Sequence, residues 1–332
     1  MIGLIKATPG PGKLILAERP DPQPGPGEVL LEVHGAGVCG TDLHIEAGEY
    51  ASSAPVILGH EVSGVVQGLG PGVDRAWLHE RVVTETFFST CGHCVCCREG
   101  RPNLCPDRRS IGTHVDGGFA PTVVVPVRNL HRIPASLSSH AATLIEPLAC
   151  VCHCMLNPSV INPGDNVVVV GPGPMGQLAA QVARTLGANV VVLGRDTDRE
   201  RLEVAESLGF TTTSCLSDVG EVDVAIEASG TSGGISAALQ CARRGGRFVQ
   251  LGIAGANVEV PLDYVLLKEL VITTGFASSP RAWRNALWLV ENGRVELEPL
   301  VSSVVPLSQW ERVFADLRQG QGMKAVFDPR MS

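Results

Sequence analysis

Over the first 150 residues the apolar positions fall in short β-branched runs, Glu28–Val33, Val62–Gln67, Arg81–Thr84 and Thr122–Val127, between turns dense in glycine and proline such as PGPGK and PDPQPGPGEV. That pattern predicts many short antiparallel strands joined by tight turns. From Asn162 the pattern changes. An unalternated apolar run, Val167–Val170, leads into a glycine-rich turn and a helical stretch, Met175–Leu186, stopped by Gly187. Strands are then expected at Val190–Leu193, Val222–Glu227, Arg247–Leu251 and Leu270–Gly275. Helices are expected at Asp198–Leu208 and Ile235–Arg243, with an amphipathic stretch at Ala282–Val290. Apolar runs without polar alternation suit strands covered on both faces, so this half is expected to be a doubly wound parallel sheet. The segment between Phe210 and Val222 is too short for a full crossover helix, and one helix is expected to be reduced or missing. The last forty residues return to short strands and a helix, and are expected to rejoin the first domain.

A chain of 332 residues with 44% hydrophobic and 18% charged residues can bury a sizeable core in two domains, and its composition is not that of a disordered chain. The expected division is 1–150, 151–288 and 289–332. No run of about 18 apolar residues occurs, and the N-terminus lacks the cationic start and apolar stretch of an export signal. A soluble, cytoplasmic protein without a membrane partner is therefore expected. The balance of 26 Lys+Arg against 34 Asp+Glu gives a net charge of −8, and the one local arginine cluster, Arg98, Arg101, Arg108 and Arg109, is interleaved with cysteines. Nucleic acid is not an expected partner.

Eleven cysteines in a chain with no export signal point to metal ligation rather than stapling, and five fall between positions 91 and 105. In CGHCVCCREGRPNLC, Cys91, Cys94, Cys97 and Cys105 have the spacing to surround one tetrahedral Zn2+ and fix a lobe, about 88–108, that has little core of its own. Cys96 is the spare thiol. A second signal is Gly171-x-Gly173-x2-Gly176 in VVVVGPGPMG, directly after a strand and opening a helix. There the glycines, with Pro174 and Met175 in the same turn, let the backbone approach a pyrophosphate at the helix start. After the second strand the chain reads GRDTDRER. If Gly194 holds the position of the acidic ribose ligand, Arg195 follows it and NADP is favoured. If a longer turn brings Asp196 there, NAD is favoured, with Arg199 a further candidate contact. A third, scattered set is Cys39 in GVCGTDLH, His60-Glu61 in LGHEVSG and Glu146 in LIEPLAC, the Cys, His and carboxylate mixture of a catalytic zinc with an open position.

These motifs occur in the order and spacing of the zinc-containing medium-chain dehydrogenase/reductases, which the chain resembles over essentially its whole length. The closest likeness is to the branch of sorbitol and other polyol dehydrogenases and L-threonine dehydrogenase. The resemblance implies a GroES-like β-rich catalytic domain beside a Rossmann domain, two zinc ions per chain, NAD or NADP, and reversible oxidation of a secondary alcohol or polyol to a ketone. It implies that Cys39 and His60 ligate the catalytic zinc, with Glu61 a direct ligand or a neighbour that swaps with water, and Glu146 at the place where polyol dehydrogenases carry a glutamate. It implies Thr41 as the hydroxyl that meets the substrate alcohol, and His44 as the distal member of a proton relay. A homodimer or homotetramer is expected, with the strand near Leu270–Gly275 as a candidate interface edge. The alternatives are a threonine or amino-alcohol dehydrogenase and a nucleotide-binding homologue that has lost turnover. His79-Glu80 departs from the usual glycine-aspartate pair before the strand RVV. Glu49, Tyr50, His114, Phe119 and Phe276 are candidate pocket residues.

Overall fold

The computed structural model describes residues 1–331 and divides into two compact units, Met1–Glu146 with Val301–Ser332, and Pro147–Leu300.

The first unit is built on β-structure. Its largest sheet has seven strands, with the ten-residue strand Glu28–Gly37 paired antiparallel to Glu61–Leu69 along most of its length and to Thr122–Pro126 at its start. At its other end the same strand takes Lys324–Phe327 as an antiparallel neighbour, and Val301–Val305 runs parallel beside that one. The C-terminal stretch that belongs to this unit therefore starts at Val301. Leu4, Val29, Leu31, Val33, Ile45, Ile57, Leu58, Phe119 and Phe327 form the buried core between the strands. Phe119 is wholly buried and packs edge-on against Phe327 with ring centroids 5.0 Å apart, so it serves the core rather than a pocket wall.

The second unit is a six-stranded, all-parallel sheet. In spatial order its strands are Thr211–Thr213, Asn189–Leu193, Asn166–Val170, Val222–Glu227, Ala242–Gln250 and Val271–Thr274. Numbered along the chain this is 3-2-1-4-5-6, the doubly wound order in which the first and fourth strands lie side by side at the switch point. The central strand Asn166–Val170 has Val167 to Val170 all buried, which is why it reads as an unbroken apolar run. Thr211–Thr213 is a short edge strand, and only a 3-10 turn at Leu216–Asp218 separates it from Val222–Glu227, so the missing helix is real. The threonine triplet that forms that edge had too little apolar character to be read as a strand.

Among the described residues one stretch, Ser139–Leu156, is long and apolar enough to cross a membrane, and most of it is buried inside the fold, as a core helix is.

Candidate active site and metal centres

The helix Gly40–Ala47 starts directly after the long strand, with Cys39 as its N-cap. Asp42 Oδ2 accepts the Cys39 backbone N–H at 2.9 Å, which closes the first turn. Gly48, in the left-handed conformation at φ 79°, ends the helix and turns the chain back, so the N–H groups of Glu49 and Tyr50 both reach the His44 carbonyl. Cys39 and Asp42, three residues apart, share one face of this helix, and Thr41 and His44 share the next. Cys39, His60 and Glu61 converge: their ligand atoms all lie within 4.8 Å of one another. His60 Nδ1 lies 3.8 Å from Asp42 Oδ1, and neither atom has a hydrogen-bond partner. The buried Asp42 carboxylate stands on the Nδ1 side of the ring at ion-pair distance, which leaves the other nitrogen for a metal.

The charges here are buried and interdependent. Burial works against protonation of His60, yet the Cys39 sulfur and Asp42 outweigh it and hold the imidazole well above its ordinary range. Burial raises the Asp42 carboxyl. Glu61 is fully buried, and both its oxygens accept from Lys324 Nζ at 2.8 and 2.7 Å, while Lys324 also donates to the Val38 carbonyl at 3.0 Å. Gly37, opposite Glu61 in the sheet, makes room for that carboxylate, since a Cβ at Gly37 would collide with Glu61 Oε2. Glu146 is buried, accepts from Thr86 Oγ1 at 2.9 Å, and acts on the charges of both His60 and Lys324. Among the described residues it is not part of the three-residue convergence. Thr41 Oγ1 lies 3.7 Å from Cys39 Sγ, and His44 Nδ1 meets Glu49 Oε2 at 2.6 Å. Asp42 and Lys324 escaped the sequence reading. Asp42 had a readable signal, the spacing Cys39-x2-Asp42 of a helix cap. Lys324 had none, because it lies 263 positions from its partner.

A thiolate, an imidazole with a carboxylate behind it and two further buried carboxylates are a donor set suited to zinc. The lobe fits a closed site. Cys91, Cys94, Cys97 and Cys105 are gathered within 4.8 Å, with Cys91 Sγ 4.0 Å from Cys97 Sγ and 3.6 Å from Cys105 Sγ. A tetrahedron with metal–sulfur bonds of about 2.3 Å has edges of about 3.8 Å. Backbone N–H groups of Cys91, Cys94 and Cys97 point at the sulfurs of Cys105, Cys91 and Cys94 at 3.3 to 3.4 Å. The N–H groups of His93 and Cys94 hold the Cys91 thiol down near 6. Cys96 lies outside the group.

In the second unit Gly171 leaves the central strand at φ 102°, where a side chain would press on Ser229, and a Cβ on Gly176 would collide with the Gly171 carbonyl. Gly173 caps the helix Pro174–Thr185, with Pro174 in its first turn, where the missing N–H costs nothing. Glu227, fully buried at the end of the fourth strand, was not singled out from the sequence. It accepts from the Ser229 N–H at 2.7 Å, the Gly230 N–H at 3.0 Å and Gln250 Nε2 at 2.7 Å, and so ties together the loops at the carboxyl ends of the strands. Arg195 is paired with Asp198, Asp196 accepts from Ser214 Oγ at 2.5 Å, and Arg199 pairs with Glu203 on the exposed side of its helix. Cys152 and Cys154 are buried thiols, pushed up by burial to about 12 and about 11. They are core groups, not ligands.

Fold and donor sets together define a zinc-binding dehydrogenase with a GroES-like unit and a dinucleotide-binding unit, and the comparisons agree. Residues 25–135 match the family model described as alcohol dehydrogenase GroES-like domain, and residues 174–292 the one described as zinc-binding dehydrogenase. A sorbitol dehydrogenase of Halalkalibacterium halodurans is 35% identical, covering 99% of both chains. A D-arabitol-phosphate dehydrogenase of Enterococcus avium is 31% identical over 99% of this chain and 97% of its own, and an L-threonine 3-dehydrogenase of Saccharopolyspora erythraea 31% over 99% of both. Among solved structures, a zinc-binding dehydrogenase of Sinorhizobium meliloti bound to NADP superposes with a TM-score of 0.89 at 32% identity and 99% coverage of both chains. A cobalt- and zinc-bound thermostable alcohol dehydrogenase of Pyrobaculum aerophilum gives 0.86 at 29%, again over 99% of both. The chain belongs to the zinc-containing medium-chain dehydrogenase/reductases. It is a zinc-dependent, NAD- or NADP-linked oxidoreductase that interconverts an alcohol or polyol and its ketone.

Proposed function

We propose that the substrate is a polyol or other secondary alcohol and that the reaction is run by the buried set around Cys39. The observation that carries this reading is the convergence of Cys39, His60 and Glu61, with Asp42 behind the imidazole and the Thr41 hydroxyl 3.7 Å from the Cys39 sulfur. Cys39 and His60 would hold the catalytic zinc, Glu146 would complete its protein ligands, and Glu61, with both oxygens on Lys324, would stand beside it. Cys91, Cys94, Cys97 and Cys105 would hold the structural zinc. Bound, zinc supplies Lewis acidity to the substrate hydroxyl and the nicotinamide supplies the hydride acceptor. Thr41 can accept the hydroxyl proton through one side of its oxygen and donate through the other. His44, oriented by Glu49, can take the proton onward. Gly171, Gly173, Pro174, Met175 and Gly176 would carry the pyrophosphate at the helix start.

The second unit also ends in an open strand, Val271–Thr274, with Val271 and Ile272 exposed and Leu262, Leu266 and Leu267 exposed on the preceding turn and helix. We propose that this edge pairs with a second copy of the chain, and that the protein works in the cytoplasm.

The test of the function is reduction of NAD+ and NADP+ by the purified, metal-replete protein across polyols, secondary alcohols and L-threonine. Turnover with a polyol or simple secondary alcohol is expected. Turnover with L-threonine alone would replace the substrate reading, and silence with both zinc ions present would overturn it.

A further inference from the structure

The turn after the second strand of the parallel sheet separates NAD from NADP in doubly wound dehydrogenases: a carboxylate there accepts the two ribose hydroxyls of NAD, and an arginine there suits the 2′-phosphate of NADP. In this chain the strand Asn189–Leu193 is followed by Gly194, which offers no acceptor. A Cβ there would stand 3.0 Å from both Pro172 and Leu202, so the glycine packs the tip of the strand against the phosphate turn. Arg195 comes next and is held in one orientation. Its Nε donates to Asp198 Oδ2 and its Nη2 to Asp198 Oδ1, both at 3.0 Å, and its backbone N–H donates to Asp198 Oδ2 at 2.9 Å. That grip uses one edge of a guanidinium that carries five N–H groups, and the side chain is 75% exposed, so its other edge is open to solvent. A second cation stands beside the glycine turn. Arg201 Nη1 lies 4.0 Å from the position a Cβ would take on Gly173, and the Arg201 carbonyl is tied to the phosphate turn through Gln177 Nε2, which donates to it at 2.9 Å and to the Pro172 carbonyl at 3.1 Å.

Two of the acidic groups of this turn have partners within the fold. Asp198 is bound by Arg195, and Asp196 accepts from Ser214 Oγ beyond the third strand. Asp198 and Glu200 both act on the charge of Arg201, Asp198 the more strongly.

We infer that the nucleotide site is built for NADP, with Arg195, oriented by Asp198, and Arg201 receiving the 2′-phosphate. The inference rests on Gly171–Gly176 being the pyrophosphate turn. Arg195 and Arg201 would select between cofactors and leave the hydride chemistry alone, and Asp198 is a positioning residue for Arg195.

The test is direct binding to the full-length protein without substrate. NADPH and NADH are titrated by nicotinamide fluorescence, and 2′,5′-ADP and 5′-AMP by calorimetry. NADPH and 2′,5′-ADP are expected to bind at least about tenfold tighter than NADH and 5′-AMP, the scale of one charge-assisted hydrogen bond. Arg195→Ala should weaken NADPH by about tenfold and leave NADH within about twofold. Arg201→Gln should act in the same direction, and Arg201→Lys, which keeps the charge, should recover part of the loss. NADH binding as tightly as NADPH would overturn the inference while leaving the nucleotide turn standing, as would arginine variants that weaken both nucleotides equally. Failure of all four ligands to bind would overturn the turn and the inference together.

Discussion

Four residues show how far a single side chain's surroundings decide its behaviour. Lys324 and Glu61 are buried together, and removing one partner strands the other charge in a dry interior. Lys324→Met is expected to cost about 3 to 5 kcal/mol in chemical denaturation, and the double variant with Glu61→Gln should recover much of that loss. His79 is exposed and sits at φ 67°, in the left-handed region that only a few per cent of non-glycine residues occupy. Its backbone N–H bond to the Val66 carbonyl does not depend on the side chain, so His79→Gly should stabilise by about 0.5 to 1 kcal/mol. Asp328 is pulled in two directions. Burial raises its carboxyl, but Arg330 and His140, the latter 3.0 Å away, outweigh burial and hold it well below the usual carboxylate range. A depressed carboxyl stabilises the fold above its unfolded value and loses that contribution as pH falls. Asp328→Asn should therefore lower the Tm at neutral pH, and the difference from the parent should fade as pH drops below the unfolded value of 3.8.

At the scale of elements, the lobe Cys91–Cys105 contains a four-residue helix, a 3-10 turn and a single buried apolar side chain, that of Cys105. Such a segment has little apolar area with which to offset its conformational entropy, which the four thiolates would do through the proposed metal. Extended dialysis against a strong chelator should raise the hydrogen exchange of residues 91–105 before that of the strand Glu28–Gly37. Equal protection throughout would contradict a structural zinc. The motifs of this lobe and of the phosphate turn were legible in the sequence because their chemistry is local. Four sulfurs within fifteen positions, or three glycines within six, close on themselves whatever the rest of the chain does. The edge strand Thr211–Thr213 was not legible, because its pairing with Val191–Leu193 comes from the neighbouring strand rather than from any apolar pattern of its own.

At the scale of the molecule, the proposed zinc donors all belong to the unit formed by Met1–Glu146 and Val301–Ser332, and the proposed phosphate turn belongs to Pro147–Leu300. Loss of one set should leave the other intact. Cys39→Ser should abolish turnover and reduce bound zinc from two ions per chain to one by elemental analysis, while nucleotide affinity stays within about twofold. The open edge Val271–Thr274 belongs to the same scale. Ile272→Lys places a charge on the strand proposed to pair with a second copy and should shift sedimentation toward the monomer.

The residues that announce the chemistry were determined by the sequence alone, since metal spacing, glycine turns and helix caps are short-range and carry their geometry with them. Which carboxylate neutralises which cation was decided only by tertiary structure. Lys324 reaches Glu61 because the last strand is laid beside the strand Glu28–Gly37. Arg195 is fixed by Asp198 while Asp196, two residues earlier, turns to Ser214. Charge pairing depends on distance in space, and neighbours across a sheet or a turn leave no periodic trace along the chain.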